Sequence, residues 1–271
     1  MAPQPRKRFG QHWLRSAQVL DEIIKAAHLQ PSDRVLEIGP GTGILTRRLL
    51  GETQAVVAVE LDRDLCKKLV KSLGDRENFL LLQGDILDLD LDAQLTNFPA
   101  FQKPNKVVAN IPYNITGPIL EKVLGKIAQP VTPPYDLIVL LIQKEVAERI
   151  CADPNSKTFG ALSVRVQYIA EPELICNVPA KAFYPPPKVD SAVVRLSPRN
   201  FPIPAANPKQ LEKLVKVGFA NKRKMLRNNL KGLTDSEILS QLLEQLEINP
   251  QVRAENLSVR DWVNLSNKLK I

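Results

Sequence analysis

The sequence is poor in the residues that build metal sites and disulfides. Its 271 residues include only three cysteines, Cys66, Cys151 and Cys176, and two histidines, His12 and His28. None of these residues has the spacing of a metal-ligand cluster. We therefore expect reduced thiols, no disulfide bond and no metal cofactor.

Long apolar segments are also missing. No uninterrupted apolar run reaches the roughly 18 residues that would span a membrane. Apolar residues make up 44% and charged residues 24% of the chain, as in ordinary globular proteins. The N-terminal segment is basic but lacks the apolar core of a secretory signal. These features predict a soluble protein without a membrane partner, and the cytoplasm is its default location.

Positive charge is concentrated towards the C-terminus. Residues 1–197 hold 24 Lys and Arg against 22 Asp and Glu, whereas residues 198–271 hold 13 against 7. A linker rich in Pro and Asn, residues 197–208, separates the two parts. We predict a large domain over 1–197 and a small basic domain over 198–271. Such a charge excess favours a nucleic-acid partner, although solubilising surfaces also carry it.

Short apolar runs alternate with amphipathic segments, which predicts an α/β fold with a mainly parallel sheet. The predicted strands are 34–38, 55–59, 79–83, 106–109, 135–142, 173–178 and 192–196. The predicted helices of the large domain include 19–27, 45–50, 118–127 and 144–150, and those of the basic domain are 211–219, 236–246 and 259–269.

A glycine-rich loop follows the first of these strands. Gly39, Gly41 and Gly43 alternate with other residues, and Glu37 precedes them. A dinucleotide fingerprint would need glycine where Ile44 or Thr46 stands, and a phosphate-binding P-loop would need a Gly-Lys-Ser/Thr ending that the loop lacks. The remaining pattern, Glu-x-Gly-x-Gly-x-Gly, indicates close backbone approach by another kind of ligand.

Polar residues follow the next three strands as well: Glu60, then Asp85-Ile86, then Asn110-Ile111-Pro112-Tyr113. The carboxyl ends of parallel strands meet at one edge of a sheet, where ligands bind. A carboxylate at Glu60 can accept ribose hydroxyls, and one at Asp85 can accept an adenine amino group. Asn110, Pro112 and Tyr113 can hold a flat base. Each acidic residue alone is typical of a solvated strand end, but together they predict a nucleoside site.

Two further stretches allow both a functional and a structural interpretation. Phe183 begins a proline-rich loop, 183–191, that can present an aromatic ring, but such a ring is more often a core residue. A segment around residue 225 mixes cations with Asn amides, which is typical of a phosphate-contacting surface or of a solvated helix face. Its cations include Lys222, Arg223, Lys224 and Arg227.

Together these motifs resemble the ribosomal RNA adenine N6,N6-dimethyltransferases over nearly the full chain. The matching stretches are 8–11, 37–43, 60–62, 110–113, 183–191 and 222–230. Where the family usually has Asn and Phe, this chain has His12 and Trp13. The match at 219–227 resembles the small-subunit enzymes; relatives that methylate large-subunit rRNA carry a different C-terminal domain.

The resemblance implies a Rossmann-like class I methyltransferase with a seven-stranded, mostly parallel, doubly wound sheet and a small C-terminal all-α domain. It implies that residues 1–197 bind S-adenosylmethionine and catalyse transfer, and that residues 198–271 bind RNA. The implied cofactor residues are Gln11, His12, Leu14, Gly39, Gly41, Glu60, Asp85, Ile86 and Asn110. The implied catalytic residues are Asn110, Pro112, Tyr113 and Phe183, and the implied RNA-binding residues are Lys222, Arg223, Lys224 and Arg227.

The substrate implied by the resemblance is a pair of adjacent adenines in a 3′-terminal hairpin of small-subunit rRNA. The enzyme would act as a monomer on a small-subunit precursor, with a role in ribosome biogenesis. Three alternatives stay open: a non-catalytic assembly factor, a large-subunit rRNA methyltransferase and a DNA adenine methyltransferase. An intact Asn110 motif argues against the first, and the last would more naturally show Asp-Pro-Pro-Tyr at that position.

Overall fold

A computed structural model describes residue 6 and residues 10–269, so Arg8 and Phe9 of the N-terminal motif lie outside the described residues. The strands are β1 (Trp13–Leu14), β2 (Arg34–Ile38), β3 (Ala55–Glu60), β4 (Phe79–Gln83), β5 (Lys106–Asn110), β6 (Gly125–Lys126), β7 (Gln129–Pro130), β8 (Leu137–Gln143), β9 (Ala170–Val178), β10 (Phe183–Tyr184) and β11 (Ser191–Pro198). The α-helices are α1 (Ala17–Ala26), α2 (Ile44–Leu49), α3 (Arg63–Leu73), α4 (Leu91–Leu95), α5 (Thr116–Leu124), α6 (Lys144–Ile150), α7 (Ala161–Ile169), α8 (Pro208–Gly218), α9 (Leu226–Leu230), α10 (Ser236–Gln245) and α11 (Val259–Lys268).

The central sheet has seven strands in the order β4-β3-β2-β5-β8-β11-β9. The pairs β2–β3, β3–β4, β2–β5 and β5–β8 are parallel, and β11 runs antiparallel to β8. The predicted seven-stranded, mostly parallel sheet is confirmed. Strand order reverses between β2 and β5, so the loops after these strands diverge and leave a crevice at their carboxyl ends.

The buried strands are uninterrupted apolar runs. A strand that is covered on both faces needs apolar side chains at successive positions. All six residues of β3 are buried, and so are the five central residues of β8. The amphipathic helix α1 packs its apolar side, including Ile23 and Ile24, into the same core. Its start at Ala17 follows from Ser16, whose side chain accepts a hydrogen bond from Val19 N.

One helix is shorter than predicted. The sequence pattern predicts a helix over 118–127, but α5 ends at Leu124, and residues 125–130 form the small β6–β7 ribbon. Gly125 has a φ of 82°, a left-handed conformation that ends a helix and that glycine adopts readily. A Cβ at this position would lie 2.4 Å from the carbonyl oxygen of Gln129, so the tight turn requires glycine.

The chain forms two compact units. The first comprises the described residues up to Val123 together with Pro133–Ala147 and Glu173–Pro198. The second comprises Leu124–Thr132, Glu148–Pro172 and the described residues from Arg199 onward. The second unit therefore includes two segments that precede the predicted boundary at 197/198. The division of cofactor binding and RNA binding between the two predicted domains stays a prediction.

Helices dominate the second unit, and Trp262 lies fully buried in its core. The ring of Phe219 lies 5.4 Å from the Trp262 ring and 6.3 Å from that of Phe159. Gly218 makes this packing possible, because a Cβ there would lie 2.4 Å from Trp262 Cη2. Within the described part of the chain, no helix has the length and apolar character needed to cross a membrane.

Candidate active site

The carboxyl ends of β2, β3, β4 and β5 surround a cavity of about 370 Å³, which is within the size range of ligand pockets. Every predicted cofactor residue lines it: Gln11, His12, Leu14, Gly39, Gly41, Glu60, Asp85, Ile86 and Asn110. Three of the four predicted catalytic residues line the same cavity: Asn110, Pro112 and Tyr113. The strand-end residues, far apart in sequence, are thus brought together.

The glycine-rich loop after β2 presents its backbone to this cavity. Gly39, Gly41 and Gly43 have φ values of 68°, 58° and 77°, in the left-handed region that favours glycine. A Cβ at Gly41 would lie 3.3 Å from Cδ1 of Trp13, which also lines the cavity. Side chains larger than hydrogen would therefore strain the loop and narrow the space beside it.

Glu60 ends β3 and organises this loop. Its side chain accepts hydrogen bonds from the backbone N–H groups of Gly41 at 3.1 Å and Asp62 at 2.8 Å. Glu60 is only 7% exposed, and this burial raises its pKa, while the two backbone donors act in the opposite direction by favouring the carboxylate. Each carboxylate oxygen keeps acceptor capacity for a ligand hydroxyl.

Asp62 does not line the cavity, but it supports residues that do, a role that the sequence alone did not reveal. It begins α3 as the cap that accepts from Asp64 N at 2.9 Å, and it also accepts from Gln11 Nε2 at 3.1 Å and Arg6 Nη1 at 3.3 Å. These bonds hold the N-terminal segment against the end of β3. Gln11 lines the cavity, but its amide nitrogen donates a hydrogen bond to Asp62.

Asn110 ends β5, and its side-chain amide is oriented by the N-terminal segment. Its Nδ2 donates to the carbonyl oxygen of His12 at 3.3 Å, which leaves Oδ1 available as an acceptor. The imidazole of His12 stacks on Tyr113 with ring centroids 5.7 Å apart. Its Nδ1 lies 2.7 Å from the carbonyl oxygen of Pro185, so Nδ1 carries the proton.

Tyr113 is fixed at its hydroxyl end. The hydroxyl lies 2.5 Å from Ser191 Oγ, and burial raises the pKa of the phenol. Asp85 accepts from Leu87 N at 2.9 Å, which orients its carboxylate. Ile86 is 5% exposed and contributes an apolar wall. The cavity thus combines carboxylates, an oriented amide, an aromatic face and apolar walls.

Phe183 does not line the cavity. Its ring is 4% exposed and belongs to the core of the first unit, where β10 pairs it with Leu14 of β1. The predicted stacking role of Phe183 therefore has no support from this placement. The neighbouring Tyr184 is instead 46% exposed, because alternate residues of a strand point to opposite faces.

The predicted RNA-binding residues belong to the second unit. Residues 222–224 form a turn and a bend, Met225 forms an isolated antiparallel bridge with Arg253, and α9 begins only at Leu226. Lys222, Arg223 and Lys224 are exposed. Lys222 Nζ donates to the carbonyl oxygens of Phe159 at 2.8 Å and Lys157 at 3.2 Å, so its ammonium is engaged within the unit. Arg227 is half-buried on α9.

Glu37, at the base of the glycine loop, is a buried acid that lines the cavity. Burial raises its pKa to about 8 from an ordinary value of 4.5, so its carboxyl group is mainly protonated at neutral pH. The stabilising contribution of the protonated form is complete below pH 4.5 and is lost as the pH rises through about 8.

Replacing Glu37 with glutamine, which stays neutral, should remove this loss. Between pH 6 and pH 9 we expect the free energy of unfolding to fall by about 3 kcal/mol less in Glu37→Gln than in wild type. Urea unfolding at the two pH values measures the difference. The exposed Glu77→Gln serves as the matched control, and an equal pH dependence in Glu37→Gln and wild type would contradict the assignment.

The cavity fits a nucleoside-bearing cofactor. Trp13 Nε1 and Glu37 Oε2 are buried and have no hydrogen-bond partner among the described residues, so one donor and one further polar atom remain for a ligand. The glycine loop gives backbone access, and Glu60 offers acceptors of the kind that ribose hydroxyls need. Fold and site together define a class I methyltransferase that uses S-adenosylmethionine.

Comparisons with known proteins narrow this class. The family model described as ribosomal RNA adenine dimethylase matches residues 2–270. The chain therefore belongs to the ribosomal RNA adenine dimethylase family. It is 68% identical over 268 residues to the ribosomal RNA small subunit methyltransferase A of Trichormus variabilis, covering 99% of both chains. It is 57% identical to the protein of that name from Synechococcus elongatus, covering 97% of this chain and 95% of that one.

Two solved structures share the fold over nearly the whole chain. A dimethyladenosine transferase from Plasmodium falciparum superposes with a TM-score of 0.77 at 28% identity, covering 94% of this chain and 96% of that one. The 23S rRNA methyltransferase ErmE gives a TM-score of 0.73 at 26% identity, covering 93% and 97%. The predicted family and fold class are confirmed, as are the enzymatic activity and the cofactor.

Proposed function

We propose that this protein transfers methyl groups from S-adenosylmethionine to N6 of two adjacent adenines in a 3′-terminal hairpin of small-subunit rRNA. It acts as a monomer, in the cytoplasm, on a small-subunit precursor during ribosome biogenesis. The single observation that carries the proposal is the convergence of Gly41, Glu60, Asp85, Asn110 and Tyr113 on one cavity. Relatives named ribosomal RNA small subunit methyltransferase A are 57–68% identical to this chain, whereas the 23S rRNA methyltransferase ErmE is 26% identical. This difference supports small-subunit rRNA as the substrate.

Residues at the four strand ends hold the cofactor. Gly39 and Gly41 allow its approach, Glu60 accepts the ribose hydroxyls, and Asp85 accepts the adenine amino group while Ile86 packs on the ring. The methionine end is lined by Gln11, His12 and Leu14. When bound, S-adenosylmethionine would supply an electrophilic methyl group on a sulfonium sulfur, and the sulfur would keep the electrons of the broken C–S bond as a neutral thioether.

The target amine is a weak nucleophile, because its lone pair is delocalised into the adenine ring. Asn110 Oδ1 and the carbonyl oxygen of Pro112 accept its N–H groups, which favours a pyramidal nitrogen and exposes the lone pair. Tyr113 stacks on the adenine, which has to leave its base stack to reach the cavity. No strong general base is needed, since the amine becomes acidic once methylated. Positioning and electrostatics therefore supply most of the acceleration.

Undermethylated small ribosomal subunits provide the direct test. They are incubated with the protein and labelled S-adenosylmethionine, and the modified nucleotides are then mapped by mass spectrometry. We expect dimethyladenine at two adjacent positions near the 3′ end of the rRNA. Product in large-subunit rRNA only would favour the large-subunit alternative, and no product in either subunit would favour a non-catalytic assembly factor.

The basic segment of the second unit should bind RNA through its exposed cations. Replacing Arg223 and Lys224 together with alanine should weaken RNA binding and lower the slope of log affinity against log salt by about 1 for each phosphate that is no longer neutralised. Replacing Lys67 and Lys68 of α3 together with alanine is the matched control, because both are exposed and lie outside the segment. It removes the same charge and should leave the salt slope unaltered. A salt slope unaltered by the substitution of Arg223 and Lys224 would place this segment off the RNA.

A further inference from the structure

Tyr184 is an exposed aromatic residue next to the wall of the active-site cavity, and it has no role in the proposed methyl transfer. Its side chain is 46% exposed, and the guanidinium carbon of Arg15 lies 4.1 Å above the ring centroid. Arginine over an aromatic face is a favourable cation–π arrangement. One face of Tyr184 is thus backed by a cation, and the residue keeps a large exposed surface.

Tyr184 is held close to the target-base site by backbone pairing and by a hydrogen bond. In the two-stranded β1–β10 ribbon, Tyr184 pairs with Trp13, which lines the cavity. The next residue, Pro185, has its carbonyl oxygen 2.7 Å from His12 Nδ1. His12 in turn stacks on Tyr113. Backbone pairing and one hydrogen bond therefore connect the exposed Tyr184 and its neighbour Pro185 to two residues that line the cavity, Trp13 and His12.

The surface around Arg15 suits a polyanion. A second cavity, of about 720 Å³, is lined by Arg15 and Lys181 with Glu22 as the opposing charge. The backbone N–H of Arg15 donates to Ala182 O at 2.8 Å, which fixes the position of the arginine next to the ribbon. Arg15 thus lines this cavity beside Lys181 and also lies over the exposed ring of Tyr184. Cations next to an exposed ring match the phosphate and base of an unpaired nucleotide.

We propose that Tyr184 and Arg15 form a stacking site for the nucleotide adjacent to the adenine that occupies the catalytic cavity. The inference rests on the proposed function, in which the two target adenines are neighbours. While one adenine is extruded into the cavity, its neighbour has lost a stacking partner. Tyr184 supplies a replacement face, with Arg15 and Lys181 near the connecting phosphates. Aromatic stacking recognises unpaired bases in RNA in this manner.

The test measures methyl transfer to small subunits reconstituted from unmodified rRNA. Tyr184→Ala should lower kcat/KM for the subunits about tenfold, the typical effect of losing one base–aromatic stack. Tyr184→Phe, which keeps the ring, should retain at least half of the wild-type value. Phe98→Ala removes an aromatic residue that is 41% exposed and lines neither cavity, and it should leave the rate unchanged. The cofactor dissociation constant should be the same in all four proteins.

A second arm identifies the base that stacks. One adenine of the pair is replaced by uridine, a poorer stacking partner, and methylation of the remaining adenine is measured with wild type and Tyr184→Ala. The two substitutions should be non-additive, with the Tyr184→Ala loss shrinking to less than about threefold. A full tenfold loss on both RNAs, or no loss on either, would overturn the stacking site while leaving the proposed function intact. Failure of wild type to methylate unmodified subunits would instead overturn the proposed function, and the inference with it.

Discussion

Asn110→Ala should lower the rate of methyl transfer by about 10²–10³-fold, the range seen when one oriented polar group is removed from a reacting centre. The acceptor Oδ1 of Asn110 is the group that we expect to hold the target amine. Alanine offers no acceptor, so the amine keeps its planar geometry and a delocalised lone pair. Cofactor affinity should change much less, because the glycine loop, Glu60 and Asp85 remain.

The structure also predicts that aspartate cannot replace Asn110. Asn110 Nδ2 donates to the carbonyl oxygen of His12 at 3.3 Å, and this bond directs Oδ1 towards the cavity. A carboxylate at residue 110 would place an oxygen against that carbonyl, so it would lose the bond and meet electrostatic repulsion. Asn110→Asp should therefore be as inactive as Asn110→Ala, although an acceptor oxygen is still present.

Single-turnover methylation of undermethylated small subunits, with cofactor binding measured separately by calorimetry, distinguishes these effects. Asn200→Ala, an exposed asparagine without an assigned role, controls for nonspecific damage. Wild-type rates in Asn110→Ala would show that the amide does not act on the amine. An active Asn110→Asp would mean that the His12 carbonyl does not set the orientation of residue 110.

Sequence was sufficient to predict the site wherever a local pattern determines the placement of a residue. Apolar runs define the strands, and the carboxyl ends of parallel strands share one edge of the sheet, so the sequence alone predicts that Glu60, Asp85 and Asn110 lie together. The end of helix α6 at Ile150 and the start of α10 at Ser236 were also predicted, from the alternation of apolar and amphipathic segments.

Features that depend on tertiary packing leave no local pattern in the sequence. The proline-rich loop of Phe183 is compatible with an exposed ring or a buried one, and only the pairing of β10 with β1 buries Phe183 and exposes Tyr184. The charge pattern of residues 221–225 could not reveal that Lys222 is engaged with carbonyls of another segment. Likewise, no local signal in 148–172 shows that this stretch packs with the C-terminal helices.

Glu60→Ala carries the second large effect, on cofactor affinity. Glu60 has two duties: it accepts from Gly41 N and Asp62 N, and it offers its remaining lone pairs to the ribose hydroxyls. Hydrogen bonds to a charged group contribute about 1.5–3 kcal/mol each. Losing both ribose bonds and the support of the glycine loop should raise the dissociation constant for S-adenosylmethionine about 100-fold or more.

Calorimetric titration with S-adenosylhomocysteine measures this loss without turnover, and Glu77→Ala is the control for removing an exposed acid. The assignment to the ribose is sharper when the ligand is changed as well. A 2′,3′-dideoxy analogue lacks the hydroxyls, so wild type should bind it weakly. The Glu60→Ala substitution should then lower the affinity for this analogue only slightly further. If Glu60→Ala instead lowered the affinity for the analogue by the full 100-fold, Glu60 would act only through Gly41 and Asp62. It would then support the loop rather than bind the ribose.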